Sequence, residues 1–437
     1  MRVRSHPGQS NEQGVVLTLI AVFMLFVVGA MAVLAIDVVS FYTARSEAQL
    51  AADGAALAGA RVLANSGMTS SNVGTVATNA ALFCQTVAKQ VANSNLVSGQ
   101  APGTVTVSCN PTQSQSNPTV TVRVQSNIPT FFARIWGSTQ ITVAASATAE
   151  AYNPSGLATG GTPPAPVATT CVKPWLLPNI DPSNPGTAPN YNKIFDTATG
   201  VIQNYNLLGW ETPTAERLQP ACTTNCPTLT EGPWVYVPGD TATSFAPPPA
   251  GSVTCSPAVG GFTSTAYELA IAGCVQKPIA CNATLNADLA PYGQRNSETA
   301  RGVNCLAHTE TNGGDTIDTT NNTPPPFEFL SGVDNPLVTA GTGLNSETDL
   351  FVSDSIVTVP VFDSSVWPPP QPVQVIGFVQ LFLAPTGLQT PQFGGTNRGR
   401  VTTTIINMVG CGTGATGTPT IIGNGPSAVP VRLITPP

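Results

Sequence analysis

The stretch IDVVSFYTARSEAQLAADGAALAGA, residues 36–60, decides how this chain is built. It follows VVLTLIAVFMLFVVGAMAVLAI, residues 15–36, which contains no charged residue. About 20 apolar residues cross the hydrocarbon core of a membrane as a helix. Beyond Asp37 the helical pattern continues, and no proline interrupts it before Pro102. The two stretches predict a transmembrane helix that continues outside the membrane as a long Ala-rich helix.

Small residues on the outer part of this helix recur at spacings of three and four, which places them on one stripe. They are Ala48, Ala51, Ala52, Ala55, Ala58, Gly59 and Val62. Small side chains let helix backbones approach closely, so the stripe favours packing against other helices. An ordinary Ala-rich helix packed on its own domain gives the same pattern, because Ala has the highest helix propensity.

Asp37 stands where the apolar run ends, and two interpretations of it are open. It can mark the level at which the span meets headgroups and water. It can instead pair with a charge on a partner helix, since an ionisable group at the membrane edge is a specific contact when it is partnered.

The apolar run is longer than the 7–15 residues of a signal-peptide core, which favours an uncleaved anchor over a cleaved signal peptide. The preceding tail, residues 1–14, carries Arg2 and Arg4 and is expected to remain cytoplasmic. The bulk of the chain then lies on the other side of the membrane.

The cysteines support that orientation. The chain has ten, and even numbers fall before and after residue 150, as in disulfide-bonded extracytoplasmic proteins. Cys84 and Cys109 are the natural pair in the first part. The other eight allow many connectivities, and Cys222-x3-Cys226 has a spacing that zinc also accepts. The disulfide candidates are Cys84, Cys109, Cys171, Cys222, Cys226, Cys255, Cys274, Cys281, Cys305 and Cys411.

The remaining sequence predicts an α+β chain. A second helix is expected over residues 72–94, strands over 104–109, 119–124 and 140–150, and a short helix over 129–136. The predicted domains are a cytoplasmic tail (1–14), an anchor (15–36), an α+β unit (37–151), a Gly/Pro/Thr linker (152–170) and a disulfide-containing, β-rich extracytoplasmic region (171–437). Strands of one sheet are expected within about residues 350–410, at 353–363, 373–384 and 400–410.

Composition and motifs argue against an enzyme. Charged residues make up 9% of the chain and its net charge is −7, so the clustered Lys and Arg of nucleic-acid binders are missing. His308 is the only histidine outside the predicted cytoplasmic tail, and a structural role suits it better than catalysis. The stretch DTIDTTNN, residues 315–322, lacks a complete calcium loop and is expected to be a solvated turn. We expect no catalytic residue, no cofactor, no bound metal and no small-molecule substrate.

The N-terminal segment resembles the Tad (tight adherence) pilus assembly proteins of the TadE/TadG type. In that family an apolar span runs into an Asp, an aromatic residue, an Arg and an Ala-rich helix. A second stretch, IPTFFARIWGSTQITVAASATAEA at residues 128–151, is similar to the end of the family's conserved region. The residues that match the first segment are Asp37, Tyr42, Arg45, Gln49, Leu50, Ala51, Ala52, Asp53, Ala55, Ala56, Leu57, Ala58 and Ala60.

Two departures refine the resemblance. Gly54 stands where the family has Ala, and Gly14 is not followed by the Glu that marks prepilin cleavage. An uncut, TadG-like protein is therefore expected rather than a pilin. The resemblance implies assembly contacts on the first helix, at Asp37, Tyr42, Arg45, Gln49, Ala51, Ala52, Asp53, Ala55 and Ala58.

The function implied by the resemblance is that of a single-pass inner-membrane component in assembly or anchoring of a Flp/Tad pilus. Its N-terminus would be cytoplasmic and its bulk periplasmic or at the cell surface. Its partners would be other pilus-machinery membrane proteins and the lipid bilayer, with no nucleic acid. The alternatives are a free-standing envelope adhesin or structural protein with the same anchor and, from another class, an extracytoplasmic hydrolase.

Overall fold

The structure is a computed structural model of the chain. The residues it describes are 12–70, 77–111, 117–157, 165–187, 190–216, 234–288, 295–309, 313–318, 326–341, 345–350, 353–366, 369–384, 399, 401–412, 420–422 and 427–434. Within these ranges the chain is a mixed α+β protein with one long N-terminal helix followed by several sheets, as predicted.

Five α-helices lie in the described residues. The first has 54 residues and no break, so at 1.5 Å per residue it is about 80 Å long. The helices are α1 (Glu12–Asn65), α2 (Ala77–Ser94), α3 (Ala266–Ala272), α4 (Asn296–Ala307) and α5 (Pro336–Thr339). The continuity of α1 through residues 15–64 confirms the long helix expected from the sequence.

Nineteen strands are described, and many have only two residues. They are β1 (Thr104–Asn110), β2 (Thr119–Pro129), β3 (Gln140–Ala151), β4 (Val167–Thr169), β5 (Trp175–Pro178), β6 (Gly186–Thr187), β7 (Asn190–Tyr191), β8 (Glu211–Glu216), β9 (Trp234–Pro238), β10 (Ile279–Ala280), β11 (Thr284–Leu285), β12 (Thr316–Ile317), β13 (Phe329–Leu330), β14 (Asp349–Leu350), β15 (Ile356–Phe362), β16 (Val373–Leu383), β17 (Val401–Gly410), β18 (Ile421–Ile422) and β19 (Val431–Ile434).

The chain forms two compact units. The first contains residues 1–55, 89–107 and 122–147, and the second contains residues 56–88, 108–121 and 148–437. Helix α1 and strands β1 to β3 contribute residues to both. In the first unit, α1 buries the side chains of Ala44, Ala48 and Ala51 completely or almost so. Strand β2 alternates buried and exposed residues, the pattern of a sheet with one covered face.

A seven-stranded sheet forms the largest part of the second unit. Its strand order is β11-β16-β15-β5-β9-β8-β17, and β17 also pairs with β16. This second pairing closes six of the strands into a ring. Every residue of β15 and β17 is buried, which agrees with their apolar, β-branched sequences. The three strands predicted near the C-terminus are therefore confirmed, and β16 lies between the other two.

The C-terminal end of α1 is bonded to β17 inside the second unit. The Asn407 side-chain amide donates to the Ala64 carbonyl, and its oxygen accepts from the Ser70 hydroxyl at 2.6 Å. Asn153, in the interval expected to be a linker, is buried and donates to the Met408 carbonyl at 2.9 Å. In the same interval, β4 pairs with β10 and β18.

Helices α3 and α4 lie within residues 171–437, the region that the sequence analysis described as β-rich and in which it predicted no helix. The local signal was present in α3. Thr265 accepts from the Glu268 backbone N–H, and the Glu268 carboxylate accepts from the Thr265 N–H, which together form a capping box. The described part of DTIDTTNN, residues 315–318, departs from the expected solvated turn, since Asp315 is buried and accepts from Ser353, Asn335 and Gly332. Residues 319–322 lie outside the described residues.

Candidate functional site

Asp37 is buried at the C-terminal end of the apolar run of α1. Only 2% of its surface is exposed. Oδ1 accepts from the Phe131 backbone N–H at 2.9 Å. Oδ2 accepts from Phe132 at 3.1 Å and from Ala133 at 2.9 Å. We call these three N–H groups, with the carboxylate between them, the Asp37 cradle.

The cradle has a simple electrostatic cause. A 3₁₀ helix begins at Ala133, so the N–H groups just before and at its start have no acceptor within the helix. Burial of the carboxyl opposes its ionisation. The three backbone donors and then the nearby Arg134 outweigh burial, and the pKa of Asp37 lies below its ordinary value. Asp37 is thus a carboxylate that is satisfied within the chain.

Neither interpretation of Asp37 drawn from the sequence included these backbone partners, and both stay predictions. The carboxylate accepts its hydrogen bonds from residues 131–133 of the same chain. It joins the two segments that carry the family resemblance, residues 36–60 and 128–151, which lie 94 residues apart at this contact. The sequence analysis singled out residues 128–151 but gave no role to Phe131, Phe132 or Ala133, because backbone donors leave no mark in the sequence.

The stripe of small residues from Ala48 to Val62, which we call the alanine stripe, packs mainly within the protein itself. Ala51, Ala52 and Ala55 have no exposed surface, and Ala58 is half-buried. The interpretation as an Ala-rich helix packed on its own domain therefore describes these three residues, and they are covered by the chain in this structure. An assembly role for these alanines stays a prediction.

Two of the polar candidates also bond within the chain. Gln49 donates from Nε2 to Asp53 Oδ1 at 2.7 Å, and to the Ser146 carbonyl at 3.2 Å. Tyr42 and Arg45, by contrast, are exposed, and Tyr42 shows 72% of its surface. These two residues line an open groove of about 270 Å³ beside Val143 of β3.

The exposed face of α1 above the span carries an apolar stripe of its own. Val39 is 64% exposed, Tyr42 72% and Leu50 66%. Their spacings of three and eight place them on one side of a helix with 3.6 residues per turn, opposite the buried alanines. We call these three residues the outer stripe. Below it, α1 contains an 18-residue window of mean hydropathy 3.0, none of it buried in the protein. By length and composition this window can cross a membrane.

Eight of the ten cysteines lie in the described residues, and all eight form disulfides. Cys84 bonds with Cys109, the pair that the sequence favours. Cys222 and Cys226, including their possible zinc spacing, lie outside the described residues. The other bonds, which the sequence could not select, are Cys171–Cys274, Cys255–Cys305 and Cys281–Cys411.

A cleft of about 720 Å³ in the second unit brings together Lys173, His308 and Asp354. Lys173 is buried and donates from Nζ to the carbonyls of Ile271 and Gly273 at 2.6 and 2.7 Å. Burial lowers the pKa of Lys173 to about 7, against the attraction of Asp354. Both carbonyls lie at the C-terminal end of α3, where a cation is favoured by the helix dipole.

His308 ends α4 in a left-handed conformation and lines the same cleft. Its Nδ1 lies 2.6 Å from the Ser256 carbonyl, and Nε2 lies 3.4 Å from Asp354 Oδ2. Burial opposes its protonation, but Asp354 and the Ser256 carbonyl outweigh burial and raise the pKa of His308. Cys305 also lines the cleft, and its sulfur is held in a disulfide, so it is not a free nucleophile.

Three carboxylates of the second unit lie close enough to share a cation. The oxygens of Asp318, Glu328 and Asp349 are within 4.8 Å of one another. Burial, followed by repulsion from Asp349 and Asp318, raises the pKa of Glu328. Oxygen ligands of this kind suit calcium or magnesium, but acidic side chains also gather without an ion, and we assign no metal here.

Comparison with known proteins agrees with the N-terminal part of this description. No curated protein and no solved structure matches the chain. Residues 14–62 match the model of the family described as "Putative Flp pilus-assembly TadE/G-like". The matched residues contain the apolar window, Asp37, the alanine stripe and the outer stripe, whereas residues 128–151 lie outside the match. Over residues 14–62, which make up most of its first helix, this chain is therefore similar to the TadE/G-like Flp pilus-assembly family.

Proposed function

We propose that this protein is a membrane-anchored component of the Flp/Tad pilus assembly apparatus. The observation that carries the proposal is α1, in which the matched segment is one unbroken helix with an exposed apolar window at one end and a folded region at the other. The family match points to a role without catalysis. The protein would act by helix packing and by its contacts in the envelope.

The proposed location is the inner membrane, with the N-terminus in the cytoplasm and the bulk outside it. Four disulfides in the described residues support this orientation, since such bonds persist in oxidising compartments. The proposal includes an α+β unit at residues 37–151, a linker at 152–170 and an extracytoplasmic region at 171–437.

The outer stripe is the surface that we propose for contact with other pilus-machinery membrane proteins. It is exposed, apolar and continuous along α1 with the membrane window. An apolar helix face next to a membrane is suited to a partner helix whose own face emerges from the bilayer at the same level. Arg45 borders this surface and can contribute polar specificity at its rim.

The first experiment is a count of surface pili by electron microscopy in a strain that lacks the gene and in the complemented strain. Loss or detachment of pili in the deletion strain, restored by complementation, is the expected result. Unchanged pilus number and attachment would contradict a role in assembly. The alternative of an envelope adhesin would then be tested by surface adhesion of the same two strains.

A point substitution tests the outer stripe itself. Leu50→Glu places a charge on the exposed face, and we expect it to reduce pilus number while the protein accumulates normally, because 66% of Leu50 is exposed in the folded chain. Leu82→Glu is the matched control, since Leu82 is a similarly exposed leucine (58%) on α2. Equal pilus counts for the two variants would rule out the stripe as the contact surface.

A further inference from the structure

The turn formed by residues 130–137 is fixed at the level where the apolar run of α1 ends. Asp37 is the first residue after that run, and its carboxylate oxygens lie within 3.1 Å of the backbone nitrogens of Phe131, Phe132 and Ala133. The turn is also closed on itself, since the Thr130 N–H donates to the Thr139 carbonyl at 3.2 Å. It therefore cannot move along the helix axis without breaking the Asp37 cradle.

The exposed side chains of this turn are of the kinds that membrane interfaces contain. Phe131 is 63% exposed, and Arg134 is exposed as well. On the adjacent helix, Val38 and Val39 are 42% and 64% exposed. In water, Phe131 at this exposure lacks most of the free energy that full burial of an aromatic side chain provides. At the boundary between acyl chains and headgroups, aromatic rings and the long stems of cationic side chains are favoured.

We propose that the 130–137 turn is a second membrane contact, lying in the headgroup region of the bilayer leaflet from which α1 emerges. Phe131 enters the boundary of the acyl chains, and Arg134 faces the lipid phosphates. The Asp37 cradle sets the depth of the turn, since it ties the turn to the last residues of the span. The inference rests on the membrane anchoring proposed above and adds a lipid-binding surface outside the helix.

Lipid is the occupant that the geometry favours over a second protein. Phe131, the exposed apolar residue among the described side chains of the turn, lies next to the end of the exposed window of α1, whose own partner is the proposed bilayer. The span is exposed to its surroundings, and the turn is hydrogen-bonded to Asp37, the residue that follows the span. Both therefore contact the same surrounding medium. The basic residue at the outer edge of that medium is complementary to the phosphate layer.

The test is the accessibility of nitroxide labels in the full chain, reconstituted in phosphatidylcholine and phosphatidylglycerol nanodiscs. Labels are attached to cysteines introduced by Leu25→Cys, Phe131→Cys and Leu96→Cys, with the native disulfides kept oxidised. Leu25 lies in the span and is 75% exposed. Leu96 is 57% exposed and matches Phe131, but its turn is bonded at Ser98 to Glu47, about 15 Å farther along α1 than Asp37.

We expect the ratio of collisions with oxygen to those with a water-soluble nickel chelate to be highest at position 25, intermediate at 131 and lowest at 96. A several-fold higher ratio at 131 than at 96 supports the interfacial turn. Equal ratios at 131 and 96, with a lipid value at 25, overturn the inference and leave the anchor intact. A water-like value at 25 contradicts the anchor as well.

A second variant guards against an effect of the label on the turn. Phe131→Trp in otherwise unlabelled protein is compared with the parent chain for fluorescence quenching by lipids brominated near the headgroup. Additional quenching in the variant is the expected result. Absence of additional quenching overturns the assignment of lipid as the occupant.

Discussion

Gly54 and Gly59 lie on one helix but differ in how closely their neighbours pack against them. Both lie in the Ala-rich part of α1. A Cβ added at Gly54 would have Val91 at 4.0 Å, an ordinary contact. A Cβ added at Gly59 would lie 2.9 Å from Val120, 3.1 Å from the Cys84 sulfur and 3.3 Å from Ala88. Gly59 is therefore a site of close approach, whereas Gly54 is not.

We expect Gly54→Ala to stabilise the protein by up to about 1 kcal/mol, the gain in helix propensity. Gly59→Ala has the same gain, but overpacking in a filled core costs about 1–3 kcal/mol, so a net loss is expected. Thermal unfolding of the two full-length variants in detergent micelles, followed by circular dichroism, measures both. Stabilisation by Gly59→Ala would contradict the tight packing described at this position.

Lys173 and His308 make opposite contributions to the pH dependence of stability, although they line one cleft. The pKa of Lys173 is lowered to about 7, so the unfolded chain binds the extra proton above that pH and stability rises with pH. The pKa of His308 is raised, so its contribution is complete below the ordinary histidine value of about 6.5 and is lost as pH rises through the folded pKa.

In the parent protein, Lys173 is expected to make the free energy of unfolding increase with pH between pH 7 and 9, by at most about 1.4 kcal/mol per pH unit. We predict that Lys173→Met removes this increase. His308→Gln should remove a decrease in the free energy of unfolding that begins above pH 6.5. Denaturant unfolding at several pH values, compared with the parent protein, tests both signs. Parallel pH profiles for all three proteins would show that neither group titrates as described.

At the scale of elements, α3 and α4 are joined through one buried carboxylate. Glu268 is completely buried in α3 and contacts Arg301 Nε of α4 at 2.5 Å. Its other oxygen accepts from the Thr263 and Thr265 backbone at 2.9 and 3.2 Å. The same side chain therefore caps one helix and pairs with the next, and its loss affects both.

We expect Glu268→Gln to destabilise this helix pair by about 3 kcal/mol, because it leaves Arg301 without its buried counter-charge. Hydrogen exchange should accelerate in α3 and α4 before the rest of the second unit. Glu347→Gln, at an exposed position, is the control and should change exchange very little. Unaltered exchange in α4 would contradict a link through Glu268.

The elements that the sequence predicts well are those with a strong local pattern. The charge-free run and the proline-free stretch after it predict α1, and alternating β-branched residues predict β15 and β17. Helices α3 and α4 were missed because they are short and lie among Pro-rich segments, where tertiary contacts rather than periodicity stabilise them. The capping box at Thr265 was the available local signal.

At the scale of the whole molecule, disulfides close loops of very different length. Cys281 and Cys411 are 130 residues apart, whereas Cys84 and Cys109 are 25 apart. A cross-link stabilises the folded state mainly by restricting the unfolded chain, and more so for a longer loop. The longer bond also joins the segment between β10 and β11 to the end of β17.

We expect replacement of Cys281 and Cys411 by Ser to lower stability by about 2–5 kcal/mol. By loop closure alone, the loss should exceed that of the Cys84 and Cys109 double variant by about 1.5 kcal/mol. Denaturant unfolding of the two double variants without reductant measures the difference. A larger loss from the shorter loop would show that packing around Cys84, rather than chain entropy, dominates.

The sequence by itself determined the long N-terminal helix with its apolar run, the similarity of that helix to a pilus-assembly family and the strands near the C-terminus. These depend on local hydropathy, charge and spacing. Only the tertiary structure decided which face of α1 is covered, how Asp37 is satisfied and how six of the later cysteines pair. Each of these depends on residues tens to hundreds of positions apart, such as Asp37 with Phe131 or Ala64 with Asn407. Local periodicity carries no record of such contacts, because it reports the face of an element and not what covers it.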